Sequence, residues 1–409
     1  MKKIRLLLPL LLCGLYSSVM AENVITTNDV VIRPGGTAEL VVSLQNDADF
    51  QVYAYDFRLY LPEGITVVKD DSYVYALSSR HSGHAVNVQQ TTDGAVQFGV
   101  SSPEAYLTGT AGPVIGIKLQ ADKSLDADVT LPASITTITY ANKEAQTVHP
   151  ANVEFSIKTA NRVDLDENAL LVPDATADNV DILVRRALKA GEWSTICLPF
   201  AMSVDKLKAA FGDDYQLYYI SGCKFKKDGD KVTGINVEFT PRTTALQVNR
   251  PYIIKVSKDI SEFVVNAKIN PTDAYRTEVT EEDPDTGDDV TICSMTGNLK
   301  TGTVIPKNSL FLNGNKFYYS TGKTRMDAFR AYFTFNEVLA DVINADTRIA
   351  MSFEETTGVV PIDNGKWIID NEADAWYDLQ GRKIDNRKSE NRQLPKGVYV
   401  HDGKKVVIK

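Results

Sequence analysis

Two histidines, His81 and His84, stand at a spacing at which paired imidazoles often bind a metal ion. The chain has four histidines, and the other two, His149 and His401, lie far from this pair. No acidic residue stands close to the pair in sequence. Because a metal site needs three or four ligands, we expect a polar loop here rather than a metal centre.

The acidic stretch Glu281–Asp289, EEDPDTGDD, is a second group of candidate ligands. Carboxylates are ligands that Ca²⁺ prefers, but the stretch lacks the ligand spacing and the distal glutamate of an EF-hand. We expect a solvated loop and no cofactor, with calcium as an open alternative.

Ser203 is a candidate nucleophile, because it stands three residues before Lys206, and the triplet K-T-G follows at Lys300–Gly302. These motifs resemble the first and last motifs of serine penicillin-recognising enzymes. The middle motif has no match, and the surrounding residues favour strands. Since Ser203 precedes Leu207 and Phe211 at helical spacing, we predict that it caps a helix.

The stretch Ser320–Thr324, STGKT, resembles the end of a phosphate-binding loop. The first glycine of that motif would fall at position 317, which is Phe317, so we expect a turn between two strands.

Neither G-x-S-x-G nor H-E-x-x-H occurs, and we expect no enzyme. Carboxylate pairs for glycoside hydrolysis come from distant strands, so a secreted carbohydrate-active enzyme or its carbohydrate-binding accessory stays an alternative.

The elements that would position such groups are mostly short strands separated by turn residues. In QVYAYDFRLYL, Gln51–Leu61, the residues alternate, and Tyr53, Tyr55 and Phe57 share one face. We expect this face in a core rather than as a sugar-stacking platform. The opposite, wetter face carries Ala54, Asp56, Arg58 and Tyr60.

We predict an all-β, multidomain protein. Its parts are a signal peptide at 1–21, a jelly-roll-like β-sandwich at 22–158, a linker or seam at 159–179, a β-rich middle domain with one short helix at 180–357, and a small C-terminal β-hairpin or immunoglobulin-like tail at 358–409. The helix is predicted from Ser203 to Gly212, where a serine cap and a terminal glycine frame it.

The first residues are typical of a secretory signal peptide. Lys2, Lys3 and Arg5 precede the apolar run Leu6–Leu15, and the small residue Ala21 suits cleavage. No later stretch has the length of a membrane helix. We therefore expect an exported protein with no integral membrane segment in the mature chain.

The charge of the chain argues against nucleic acid as a partner. The formal net charge is −9, and removal of the three positive charges of the signal peptide lowers it to −12. An acidic protein repels a phosphate backbone.

Three cysteines, Cys197, Cys223 and Cys293, remain after signal cleavage. An oxidising compartment would allow one disulfide, and the spacing does not choose among the three pairings. The alternative is that all three are small buried side chains, as Cys197 suggests between Ile196 and Leu198.

Residues 23–158 resemble cohesin domains in three stretches. They are VVIRPGGTAELVVSLQND, Val30–Asp47; VYAYDFRLYLPEGITVV, Val52–Val68; and GPVIGIKLQADKSLDADVTL, Gly112–Leu131. The resemblance implies a nine-stranded jelly-roll-like sandwich, a fold that cohesins share with some carbohydrate-binding modules. Cohesins bind dockerins, so it also implies a protein partner.

The C-terminal stretches WYDLQGRKI, Trp376–Ile384, and LPKGVYVHDGKKVVIK, Leu394–Lys409, resemble the sorting domains of type IX (Por) secretion in Bacteroidetes. The residues that match the last hairpin of such domains are Gly397, Tyr399, Gly403, Lys404 and Lys409. The resemblance implies that a secretion translocon reads this tail. It also implies a place at the cell surface, at the outer membrane or outside the cell.

The middle region is similar to a β-rich module of surface proteins in the same bacterial group, and this similarity implies no activity. The stretches that carry it are AGEWSTICLPF, NRPYIIKV and FRAYFTF. We therefore expect a non-catalytic binding or adhesion protein at the cell surface or secreted, with a protein or glycan partner. A surface-layer or fimbrial component is the structural alternative.

Overall fold

A computed structural model describes residues 23–228, 231–272, 275–282, 286–335 and 348–353, and strands at 376–377, 383–384, 397–401 and 404–408. The chain divides into two compact units, Met1–Glu354 and Glu355–Lys409. The described residues are nearly all β, which confirms the predicted fold class.

The N-terminal part of the first unit is a sandwich of short strands. Its strands are β1 (Val24–Thr27), β2 (Val30–Ile32), β3 (Thr37–Gln45), β4 (Ala54–Tyr60), β5 (Ile65–Val67), β6 (Tyr75–Leu77), β7 (Ala85–Gln90), β8 (Val96–Ser101), β9 (Pro113–Ala121), β10 (Thr130–Ala141), β11 (Thr147–Val148) and β12 (Val153–Thr159).

Two sheets enclose the core of this sandwich. One has the order β1-β3-β9-β5, with β6 also on β9, and the other has the order β2-β12-β10-β4-β8-β7, with β11 on β10. Neighbouring strands are antiparallel except β2 and β12, which run parallel.

Strand β4 shows why the sequence pattern predicts the sandwich. Tyr55, Phe57 and Leu59 alternate with wetter residues and are at most 2% exposed, which confirms them as core residues. Tyr53 precedes the strand and is only partly buried. The expectation that it joins the core is therefore wrong, because its ring packs on Tyr106 instead.

The rest of the first unit contains more strands and one α-helix among its described residues. They are β13 (Arg162–Asp166), β14 (Val180–Leu188), β15 (Trp193–Ile196), α1 (Val204–Phe211), β16 (Gln216–Asp228), β17 (Lys231–Pro241), β18 (Tyr252–Lys255), β19 (Ile260–Ala267), β20 (Arg276–Glu282), β21 (Asp289–Asn298), β22 (Thr303–Val304), β23 (Leu310–Asn313), β24 (Lys316–Tyr319), β25 (Arg325–Met326), β26 (Arg330–Phe335) and β27 (Arg348–Phe353).

These strands form two further cores. The sheet β13-β14-β19 and helix α1 share one of them. The sheets β15-β18-β16-β17-β27 and β20-β21-β26-β23-β24 enclose the other, and β22 pairs with β25. The helix buries Leu207 and Phe211 completely, as its spacing predicts.

The stretch 159–179, expected as a linker or a seam, has defined structure. Its strand β13 runs parallel to β14, so the backbone groups of this polar stretch are bonded within a sheet. The following residues lie against the outside of the sandwich, where the N–H of Leu170 donates to both carboxylate oxygens of Glu39. The domain boundaries themselves stay predictions.

The second unit has the strands β28 (Trp376–Tyr377), β29 (Lys383–Ile384), β30 (Gly397–His401) and β31 (Lys404–Ile408). They form an antiparallel sheet in the order β29-β28-β30-β31, so both expected hairpins pair their strands. Of the sorting candidates, Gly397, Tyr399 and Lys404 lie on β30 and β31. Gly403 and Lys409 lie outside the described residues.

Candidate functional site

The candidate nucleophile Ser203 lies at the N-terminus of helix α1. Its hydroxyl accepts from the N–H of Lys206 at 3.4 Å, which confirms the predicted N-cap. The Nζ of Lys206 donates to the carbonyl oxygen of Asn266 at 2.5 Å. In the K-T-G triplet, Thr301 donates its hydroxyl to Asp327 at 3.2 Å. Each motif is thus held by local structural contacts.

Ser320 is also structural, because it is fully buried in the connection from β24 to β25. Its hydroxyl donates to the carbonyl of Ile305 at 2.9 Å and accepts from the N–H of Gly322 at 3.1 Å. The expected turn between two strands is confirmed.

The two histidines lie in a loop, with ring centroids 4.9 Å apart. His81 contacts the hydroxyl of Tyr55 through Nε2 at 3.0 Å and the carbonyl of Ser78 through Nδ1 at 3.1 Å. Burial lowers the pKa of His81 to about 4. Among the described residues, no three metal-ligating side chains gather at one point. The acidic loop at Glu281–Asp289 is only partly described, so the expected solvated loop stays a prediction and calcium there stays its alternative.

The feature best suited to bind a partner is an outer face of the sandwich, on the seven-stranded sheet. We call it the open face, and its members are Asp56, Arg58, Asn87, Gln89, Gln97, Gly99, Thr136 and Thr139. All are half-buried or exposed, because they alternate with the core residues of β4, β7, β8 and β10.

Strand register brings these residues into rows. Asp56 lies opposite Gly99 on one side and Thr139 on the other. Arg58 lies opposite Gln97 and Thr136 in the same way. A register shift between the two threonines, where Thr137 has a φ of 53°, turns both to the same face.

The charges of the open face are mixed and connected. The guanidinium of Arg58 lies 3.5 Å from Asp93, and the hydroxyl of Tyr60 donates to Asp93 at 2.6 Å. Hydrogen bonds from Thr91 and then Tyr60 lower the pKa of Asp93 to about 2. Burial raises the pKa of Asp56, and His149 opposes that shift. The face therefore presents a basic group, the guanidinium of Arg58, and an acidic group, the carboxyl of Asp56, on the same strand.

The outer face of the other sandwich sheet is covered. We call residues 167–176 the strap. Within it, Asp174 bonds Lys118 at 2.6 Å and also accepts from Thr37, and Leu170 is 5% exposed against Gly116. A cavity of about 850 Å³ remains between the strap and the sheet.

Glu39 lies at the contact between the strap and the sheet. Burial raises its pKa to about 7, even though backbone hydrogen bonds from Leu170 and Leu171 stabilise the charged form. Nearby Asp166 raises the pKa further, and Lys118 lowers it.

A smaller aromatic surface lies beside the end of β4. The rings of Tyr53 and Tyr106 have centroids 5.8 Å apart, and Tyr106 is 43% exposed. The Nζ of Lys143 lies 6.0 Å from the centroid of the Tyr53 ring.

Sequence reasoning placed Asp56 and Arg58 on a wet face but missed their neighbours on the open face. Alternation along one strand reports which residues share a face of that strand. It does not report which strands are adjacent, and the shift in β10 leaves no signal in the pattern. A period-2 reading of β7 and β8 would have found Asn87 and Gln97.

No model of a protein family matches the chain, and no curated protein matches it. Solved structures similar to part of it are cohesin modules. One, from a family 33 glycoside hydrolase of Clostridium perfringens, is 15% identical and covers 34% of this chain and 97% of its own, with a TM-score of 0.29. The sixth cohesin of scaffoldin B from Acetivibrio cellulolyticus, solved with a dockerin, is 13% identical over 34% of this chain and 98% of its own, with a TM-score of 0.30.

A non-cellulosomal cohesin from Archaeoglobus fulgidus is 16% identical and covers 34% of this chain and 91% of its own, with a TM-score of 0.27. These similarities concern about a third of the chain. Among the described residues, no helix is long and apolar enough to span a membrane.

Proposed function

We propose that this protein is an exported, non-catalytic binding protein whose sandwich holds a protein partner on the open face. The observation that carries the proposal is the contrast between the two sheets. The strap covers the outer face of one sheet through Leu170 and Asp174. The open face leaves its polar side chains half-buried or exposed.

The chemistry of the open face favours a protein over a sugar. Arginine is enriched in protein interfaces, and Arg58 lies near the centre of the rows with Gln97 and Thr136 beside it. Sugar binding typically uses an accessible aromatic ring, and the eight residues that define the open face include no aromatic side chain. A sheet is also a rigid support, so little entropy is lost when a partner binds.

Export and placement at the bacterial surface are part of the proposal. They are supported by the residues of the expected signal peptide and by the resemblance of the tail to type IX sorting domains of Bacteroidetes. Gly397 and Lys404 lie on the paired strands of a hairpin, which agrees with the last hairpin of such sorting domains.

Photo-crosslinking tests the open face directly. A photoreactive amino acid replaces Gln97 in the full chain, and the protein is mixed with an extract of bacterial surface proteins and, separately, with a purified dockerin. A matched control carries the same group at the exposed Lys258, on the middle part of the chain. We expect a protein cross-link from position 97 that is absent from position 258 and is weakened at least tenfold by Arg58→Ala.

Equal cross-linking at both positions, or none at position 97, would contradict a partner on this face. So would full cross-linking in the Arg58→Ala variant, provided that its circular dichroism equals that of the parent.

A glycan partner is the second candidate, because Tyr53 and Tyr106 form a partly exposed aromatic pair beside Lys143. A glycan array with the full chain tests it. Binding that is lost in Tyr106→Ala and kept in Arg58→Ala would assign the glycan to this pair and not to the open face.

A further inference from the structure

We propose that Cys223 and Cys293 form a disulfide that joins the sheet β15-β18-β16-β17-β27 to the sheet β20-β21-β26-β23-β24. Cys223 lies on β16 in one sheet, and Cys293 lies on β21 in the other. Both side chains point into the core that these sheets enclose, where they are 3% and 0% exposed.

The two thiols are in contact across this core. The side chains of Cys223 and Cys293 interact, and this interaction, followed by burial, raises the pKa of Cys223. Both are free thiols in the structure. A disulfide needs its two sulfur atoms to approach from facing backbones, and side chains that already touch from two packed sheets satisfy that need.

Cys197 is excluded as a partner by its position. It belongs to the other core of this part of the chain, with Leu198 and helix α1. Its Sγ packs against the backbone of Gly297, because a Cβ added at Gly297 would lie only 2.4 Å from that sulfur atom. Gly297 stands four residues after Cys293 on β21, about 13 Å along the strand. A disulfide spans less than about 7 Å between Cα atoms, so Cys197 cannot reach Cys293.

The chemistry is thiol–disulfide exchange with a small-molecule or protein disulfide as the oxidant. One cysteine thiolate attacks a sulfur of the oxidant, whose other sulfur leaves as a thiolate, and a mixed disulfide forms. The second cysteine thiolate then attacks the protein sulfur of that bond and releases the other half of the oxidant. Two S–H bonds and the oxidant's S–S bond are lost. One protein S–S bond and two oxidant thiols are gained, so the oxidant receives both electrons.

Burial determines when this exchange occurs. The oxidant cannot reach thiols in a closed core, and burial disfavours the thiolate that must attack. We therefore expect the bond to form while the chain folds, and the folded, reduced protein to oxidise slowly.

The test is to refold the full chain with mixed oxidised and reduced glutathione, block remaining thiols after denaturation, and map peptides without reduction. We expect a peptide containing Cys223 linked to one containing Cys293, with Cys197 blocked. Cys197→Ser is the matched control and should keep the link. Cys223→Ser should remove it and leave Cys293 blocked.

A protein in which all three cysteines are blocked, or in which Cys197 is linked, would overturn the proposal. A second measurement does not depend on mapping. Reduction should lower the Tm of the refolded parent but leave the Tm of a Cys223→Ala/Cys293→Ala variant unchanged, and an equal effect of reduction on both would also overturn it.

Discussion

At the scale of single residues, the environment of Glu39 raises the pKa of its carboxyl and so affects the stability of the protein. Its carboxyl is buried at the contact with the strap, where both oxygens accept from the N–H of Leu170 at 3.1 Å. Two effects oppose each other there, because hydrogen bonds favour the charged carboxylate and burial disfavours it. Burial is the larger effect, and the pKa rises to about 7.

The raised pKa predicts how stability depends on pH. Below the ordinary pKa of 4.5, Glu39 is protonated in the folded and unfolded chains alike. Between pH 4.5 and pH 7, the folded protein binds the proton more tightly than the unfolded chain does. Its stability therefore falls as the pH rises. One pKa unit corresponds to about 1.4 kcal/mol, so the rise from 4.5 to about 7 lowers the unfolding free energy by about 3.5 kcal/mol above pH 7.

Chemical denaturation of the parent and of Glu39→Gln at several pH values checks this prediction. We expect the fall in unfolding free energy to be smaller in Glu39→Gln. His81 contributes the opposite slope, because its pKa is lowered to about 4 and its stabilising effect is lost as the pH falls below about 6.5. Both proteins share that effect, so their difference isolates Glu39. Glu144→Gln, at an exposed position, is the control. Parallel pH curves for parent and Glu39→Gln would refute the prediction.

At the scale of elements, the contact between the strap and β9 depends on a residue without a side chain. A Cβ at Gly116 would lie 1.9 Å from a carboxylate oxygen of Glu39 and 3.1 Å from the Cβ of Leu170. Glycine therefore lets the strap lie close to the sheet. The polar composition of 159–179 did not predict this packing, since it arises from β9, which is distant in sequence.

Gly116→Ala should lower the unfolding free energy by about 1–3 kcal/mol, because overpacking displaces Glu39 or the strap. Gly99→Ala is the matched control, since it is also a strand glycine and an added Cβ there meets only the carbonyl of Asn87 at 3.9 Å. Denaturant midpoints give the comparison. The packing argument fails if the two alanine variants are equally stable.

At the scale of the whole molecule, the chain combines an acidic body with a basic end. The formal net charge is −9, whereas the stretch from Gly381 to Lys409 carries an excess of lysine and arginine. The charge of such a basic segment in an acidic protein favours an acidic partner.

Deletion of Leu394–Lys409 is expected to retain the protein in the periplasm, because the residues that the translocon would read are lost. Protease accessibility on intact cells, together with fractionation, measures the outcome. A tail of the same composition in scrambled order is the control, and it should also fail to reach the surface. Unchanged surface display after the deletion would rule out the sorting role.

Local patterns in the sequence were enough for the all-β class, the buried face of β4 and the cap of helix α1. Each of these depends on side chains within a few residues of one another, where the periods of strand and helix act directly. The polar face of Asp56 and Arg58 was visible for the same reason.

Only the tertiary structure decided which outer face of the sandwich the strap covers, where Tyr53 lies, and that Cys223 meets Cys293. These depend on pairing and packing between residues far apart in the chain. The free energy of a whole core selects those contacts, and no local pattern encodes it.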